Sequence, residues 1–220
     1  LNGHKIVSAG AIGSTVRVDS DVHVVLTDCR ASGSISATRA TGATGLGFAS
    51  GTQNGIADIF GVSFSGTSSG VACNTGNTVN LYNSTISGTT SAIYNTGTVN
   101  IAGTVKATSD TVGSGYYCVN NLGTLTVDGT LTADGGNVGL VNRVDDSRSG
   151  TITVNGTLTS TGDSDGLTNR GTMTVAGTLT ATGKSNDGVY NNGGTLSVDG
   201  ALTAIGNASG RQTEGLYNYN

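Results

Sequence analysis

The stretch GTLTVDGTLTADG, residues 123–135, recurs as GTITVNGTLTSTG at 150–162, GTMTVAGTLTATG at 171–183 and GTLSVDGALTAIG at 194–206. Fainter copies read GTVNIAGTVKATS from Gly97 and NTVNLYNSTISG from Asn77. The starts at 77, 97, 123, 150, 171 and 194 are separated by 20, 26, 27, 21 and 23 residues, so connections vary in length while the phrase is kept. Self-similarity at this period marks a solenoid of equivalent coils, not a globule around one centre.

Within Thr124-Leu125-Thr126-Val127 apolar residues alternate with hydroxyls, the period of two that turns Leu125 and Val127 inward and both threonines outward. Asp128-Gly129 then reads as turn chemistry, and Thr130-Leu131-Thr132-Ala133 alternates again. A third strand precedes each new phrase, in Ala92–Asn95, Gly139–Asn142, Gly166–Asn169, Gly188–Asn191 and Gly215–Asn218. The fold predicted is all-β: a single-stranded parallel β-helix with three short strands per coil of about 20–27 residues, without substantial helix. It forms one domain over 1–220, with irregular opening coils in 1–69 and regular repeats in 70–220.

Stacking brings equivalent residues about 4.8 Å apart along the axis. One inward column is then Val79, Val99, Leu125, Ile152, Met173 and Leu196; another is Ile93, Val119, Leu140, Leu167, Val189 and Leu216. The asparagine closing the third strand recurs as Asn74, Asn95, Asn121, Asn142, Asn169, Asn191 and Asn218. Side-chain amides at this spacing can pass hydrogen bonds from coil to coil, so the sequence predicts an inward asparagine ladder.

The 220 residues include 37 glycines, with 35% apolar and 5% aromatic residues. Without a period this composition would describe disorder; the repeat is what makes a core possible. Charged residues are 11% and the net charge is -4, so no basic patch points to nucleic acid or anionic lipid. No window approaches 18 continuous apolar residues, which excludes helical membrane insertion from the expectations, and no charged start with an apolar run reads as a signal peptide. Cys29, Cys73 and Cys118 have no metal-like spacing; free or partly buried thiols are expected, with at most one internal disulfide. No cofactor is implied. The chain stops at Tyr217-Asn218-Tyr219-Asn220, where another GTLTV phrase would begin, without a polar cap. That suggests either a piece of a longer protein or end-to-end stacking of coils.

The phrases GTLTVDGTLTADG, GTMTVAGTLTATG and VYNNGGTLSVDG resemble the pectin-lyase-like right-handed β-helices of bacterial surface proteins and autotransporter passengers, most clearly over residues 70–220. The resemblance implies a secreted or cell-surface location, an elongated shape, and adhesion, surface coating or fibre building. Its partners would be the protein itself or surface glycans. No catalytic residue of that family maps onto the chain, and no enzyme is expected.

Polysaccharide lyases and hydrolases share this architecture, which makes acidic clusters worth weighing. The paired carboxylates Asp145-Asp146 lie with Arg143 and Arg148 in the longest insertion and read as a solvated loop. His4 and His23 read as surface residues, and the acidic loops at Asp163–Asp165 and Lys184–Asp187 do not fit a calcium repeat. Tyr94, Tyr190 and Tyr217 share one outward position, either a stripe for stacking on sugars or cover for backbone. Outward threonines form ranks: Thr124, Thr126, Thr151, Thr153, Thr172, Thr174 and Thr195 on one face, with Thr130, Thr132, Thr157, Thr159, Thr178 and Thr180 on another. Flat threonine arrays are a feature of ice-binding solenoids, and equally threonine is a good strand former that pairs across exposed sheets. Asn80, Asn100 and Lys106 interrupt the ranks. The sequons at Asn83, Asn155 and Asn207 arise readily by chance in such a composition.

Overall fold

Each repeat closes one turn of a parallel β-solenoid. The computed structural model describes residues 1–9, 13–30, 33–38, 42–111, 113–207 and 213–219. The strands fall into three sheets, parallel throughout. Sheet 1 has nine strands, from Lys5–Ser8 to Ala201–Gly206, and includes the TLTA segments. Sheet 2 has nine, from Gly13–Val18 to Leu216–Tyr219, and ends most coils on asparagine. Sheet 3 has eight, from His23–Thr27 to Thr195–Val198, and carries the TLTV segments. A coil visits the sheets in this order. Every third strand pairs because the intervening two face the other sides, and no helix occurs among the described residues.

The alternating pattern sets the register. Val79, Val99, Leu125, Ile152, Met173 and Leu196 pair in succession on sheet 3. Ile93, Val119, Leu140, Leu167, Val189 and Leu216 do so on sheet 2. All but the last member of each column are fully buried, so the two columns are walls of one continuous core. A one-residue slip would turn an entire column to solvent, which is why the register holds through connections of unequal length. Residues before Asn77 lack the clear phrase, yet their strands join the same three sheets, and Ile35, Leu46, Ile59 and Phe64 extend the core.

Two columns of small residues let the sheets approach. Ala107, Ala133, Ser160, Ala181 and Ala204 align inside sheet 1. Buried Ser160 satisfies its hydroxyl by donating to the Gly166 carbonyl at 2.6 Å across the corner to sheet 2. At the corner between sheets 3 and 1, Gly129, Gly156, Gly177 and Gly200 stack directly. A Cβ on Gly156 would run into the Gly129 carbonyl oxygen, and one on Gly177 into that of Gly156. The glycine of the VDG, VNG and VAG triplets is therefore demanded by close backbone approach between coils; its φ is not in the left-handed region at these four positions.

Candidate functional site

The asparagine ladder exists and has six members. Asn95 donates its side-chain amide to Asn121 Oδ1 at 2.8 Å, Asn121 to Asn142 at 2.9 Å, Asn142 to Asn169 at 2.8 Å, Asn169 to Asn191 at 2.7 Å and Asn191 to Asn218 at 2.7 Å. All five bonds run in one direction, from each coil to the next. The first four amides also donate to a backbone carbonyl of the following coil, of Thr124, Thr151, Thr172 and Thr195 in turn. Asn121, Asn142 and Asn169 are fully buried, so these bonds form where water cannot compete.

Asn74 does not belong to the ladder. The strand register sets Asn95 against Cys73, and Asn74, one residue later, sends its amide outward to the Phe48 carbonyl at 3.5 Å. All three cysteines are free; Cys29 is exposed, and Cys73 and Cys118 are buried in different coils.

The threonine ranks are in register. Thr78, Thr98, Thr124, Thr151, Thr172 and Thr195 align on the outside of sheet 3. Beside them run Asn80, Asn100, Thr126, Thr153, Thr174 and Ser197. Sheet 1 carries Thr104, Thr130, Thr157 and Thr178 in one column and Lys106, Thr132, Thr159, Thr180 and Thr203 in the next. The asparagines that interrupt sheet 3 have their own order: Asn100 donates to Asn80 at 2.8 Å, Asn80 to Asp58 Oδ1 at 2.6 Å, and His23 Nε2 lies 2.7 Å from Asp58 Oδ2. His23 is thus on the surface, as its alternation indicates, at the head of a short polar string.

Tyr94, Tyr190 and Tyr217 do share a column, but they do not make a continuous stripe. Asn120, Val141 and Thr168 stand between Tyr94 and Tyr190, whereas Tyr190 and Tyr217 are adjacent, with ring centroids 5.5 Å apart and planes at 27°. The three intervening residues face outward and are nevertheless at most 6% exposed. Next to sheet 2, residues 143–150 form a hairpin arm closed by an antiparallel bridge between Val144 and Ser149. Asn120 Oδ1 is the buried side-chain acceptor without a partner among the described residues.

Along this face runs a trough in two parts that share Tyr190. The first recess, about 170 Å³, has Val141 and Thr168 on its floor, with Tyr117, Arg143, Asp165 and Arg170 around it. The second, about 360 Å³, is lined by Asn186, Asp187, Glu214, Tyr190 and Tyr217. Arg143 lies over the Tyr117 ring, 5.9 Å from its centroid.

Asp165, Asp187 and Glu214 were not singled out from the sequence as a column. Each precedes the glycine that opens a sheet 2 strand, in DGL, DGV and EGL, and that recurrence was the available signal. Asp165 Oδ1 accepts from Asn186 Nδ2 at 2.6 Å and from the Asp187 backbone at 3.3 Å, and Asp187 Oδ1 accepts from the Glu214 backbone at 3.0 Å. The carboxylates tie successive coils together along the trough. Burial pushes the Asp165 carboxyl above its ordinary range, opposed by its hydrogen bonds and reinforced by the Asp187 charge.

Asp145 is folded back onto its own arm. It accepts from the backbone of Ser147 at 3.0 Å and of Arg148 at 2.8 Å, and the Arg148 guanidinium binds it through two nitrogens at 3.1 and 2.8 Å. These contacts, the Ser147 amide foremost, hold its carboxyl at about 2. Asp145 thus organises the arm. Asp163 pairs with Lys184 at 2.9 Å, and among the described residues no three His, Cys, Asp or Glu side chains converge as for a metal ion. The sequon residues Asn83 and Asn155 are exposed and use their side chains in corners, on Thr104 and Asp128; Ala208 and Ser209 of the third sequon lie outside the described residues.

Comparison of the chain with protein-family models, with curated proteins and with solved structures gives no match. The class that the fold and these columns define is the parallel β-solenoid with an internal asparagine ladder.

Proposed function

We propose that the chain is the rod of an extracellular structural or adhesive protein, of the pectin-lyase-like, right-handed type found in bacterial surface proteins and autotransporter passengers. It works on the cell surface or in secreted fibres, with other copies of itself or surface glycans as partners, and it is not an enzyme. The observation that carries this reading is the unbroken polar column from Asn95 to Asn218 beside an unbroken apolar core. Such construction gives a stiff element whose length is set by the number of coils, suited to reach and display. Electron microscopy of the purified protein, with protease shaving of intact source cells, tests the reading. Rods or axially repeating fibres removed by external protease support it, and a compact, protease-protected particle overturns it.

A second reading, ice binding, draws on the aligned Thr124, Thr151, Thr172 and Thr195 with Thr126, Thr153 and Thr174 beside them. Thermal hysteresis that disappears in Thr153→Tyr would establish it, and normal freezing would remove it.

A further inference from the structure

The trough on sheet 2 differs from the remaining surface in two ways that point together. Most outward positions in the regular coils carry hydroxyl or amide side chains. Here two arginines occupy the same place in adjacent coils: Asn142 pairs with Asn169, and Arg143 and Arg170 follow them, each backbone amide bonded to the previous coil. Among the described residues neither guanidinium is in an ion pair. Like charges facing each other across strands are unfavourable, and an anion between them removes that penalty. Beyond them the balance of charge reverses, from Arg143 and Arg170 with the single carboxyl of Asp165 around the first recess to Asp187 and Glu214 around the second, with Tyr190 between and its stacking partner Tyr217 further on.

We infer that this trough binds a glycan of neutral sugars capped by one anionic sugar, lying parallel to the solenoid axis. The anionic substituent sits between Arg143 and Arg170, where guanidinium forks suit a carboxylate or a sulfate ester. A neutral ring stacks on Tyr190, and the next continues over Tyr217, its hydroxyls donating to Asp187 and Glu214. The same acidic pair repels a chain charged at every sugar, so a uniform polyanion is excluded. This inference rests on the adhesive reading of the rod and names its partner.

Isothermal titration of the full chain with lactose, 3′-sialyllactose, lactose 3′-sulfate and polygalacturonate tests it. The capped lactoses bind at least tenfold more tightly than lactose or polygalacturonate. Whichever of the two binds better identifies the anion as carboxylate or sulfate, and either supports the inference. Arg170→Ala, an exposed substitution, brings the capped ligand down to the level of lactose, and Tyr190→Ala abolishes binding of both. Glu214→Gln improves polygalacturonate. Thr124→Ala, on another sheet, changes nothing. Absence of binding to all four sugars, equal or tighter binding of polygalacturonate, or binding indifferent to Arg170→Ala and Tyr190→Ala would each overturn it. Any of those results, obtained with surface-displayed rods still seen by microscopy and shaving, defeats the glycan assignment and leaves the rod standing.

Discussion

Cys73 places its Sγ between the carbonyl oxygens of Asn77, 3.3 Å away in its own coil, and Thr98, 3.4 Å away in the next, where Asn95 points its amide at Thr124 at 2.8 Å. The thiol holds the ladder position with a weaker donor and cannot reach Asn95 as an amide would. Replacing it should extend the ladder by one bond: Cys73→Asn is expected to raise stability by about 1 kcal/mol, the usual net worth of an intramolecular hydrogen bond. Asn74→Ala, one residue on and outside the column, should change stability by less than about 0.5 kcal/mol. Urea unfolding of both variants checks the pair, and equal effects would show that the register has been misassigned.

Inside the ladder the consequences are larger. Asn142→Ala removes the acceptor for Asn121 and the donors to Asn169 Oδ1 and to the carbonyls of Gly150 and Thr172, all in a buried setting. Unsatisfied buried polar groups cost about 1–3 kcal/mol each, so a loss of about 2–4 kcal/mol is expected after partial relaxation. Hydrogen exchange should show the loss centred on the coils around Asn142 and fading along the axis, because each coil touches only its neighbours.

What was legible in the sequence is what has a period. Leu125 and Ile152 reveal their column because strict alternation leaves a medium-sized aliphatic only one side to face. The Asn ladder followed from recurrence and failed only at Asn74, where CNTG places an asparagine one step past the strand end; the pairing of Ile93 with Val71, which fixes the frame, depends on the whole sheet. The tyrosine column was placed correctly while its gaps were invisible, since Asn120, Val141 and Thr168 carry no shared motif. Arg143 read as part of a solvated loop because its neighbour Arg170 lies 27 residues away and is adjacent only after stacking. Glycine roles were hidden for a similar reason: Asp128-Gly129 suggests a turn, whereas contact with the Gly103 carbonyl of the preceding coil dictates the glycine.

That contact makes a clear forecast. Gly156→Ala needs no unusual φ, so backbone conformation alone would tolerate it, but its Cβ meets the Gly129 carbonyl and the coils must separate locally. Overpacking of this kind costs about 1–3 kcal/mol. Gly193→Ala supplies the contrast: its φ of 68° strains an alanine while nothing lies near the added carbon. Amide hydrogen exchange should show Gly156→Ala with faster exchange in both adjoining coils, and Gly193→Ala with a purely local effect.

The thiols should divide sharply. Burial pushes Cys73 and Cys118 up to about 12, leaving a negligible thiolate fraction at neutral pH, and both side chains are enclosed. Cys29 is exposed. Native protein at pH 7.5 should therefore take up one equivalent of an aromatic disulfide reagent quickly and the other two only after denaturation. Fast reaction of a second thiol would mean that the core opens between coils.

Two aspartates on the same stretch should titrate in opposite directions. Asp145, held at about 2 chiefly by the Ser147 amide, contributes support to the hairpin arm that is present above the unfolded value of about 3.9 and is lost as pH falls through about 2. Asp165 behaves inversely: burial raises its carboxyl, so its ionised form opposes folding above that raised value and the penalty disappears as the group takes up its proton on acidification. Carboxyl-carbon NMR between pH 1.5 and 7 should place the Asp165 midpoint above and the Asp145 midpoint below that of an unperturbed aspartate. Asp145→Asn should speed exchange of the Ser147 and Arg148 amides at pH 6 and leave the Asn ladder unchanged, because the arm is anchored outside the core. Asp165→Asn, which retains an acceptor for Asn186 while removing the buried charge, should flatten the pH dependence of unfolding near the Asp165 midpoint without lowering stability at pH 7.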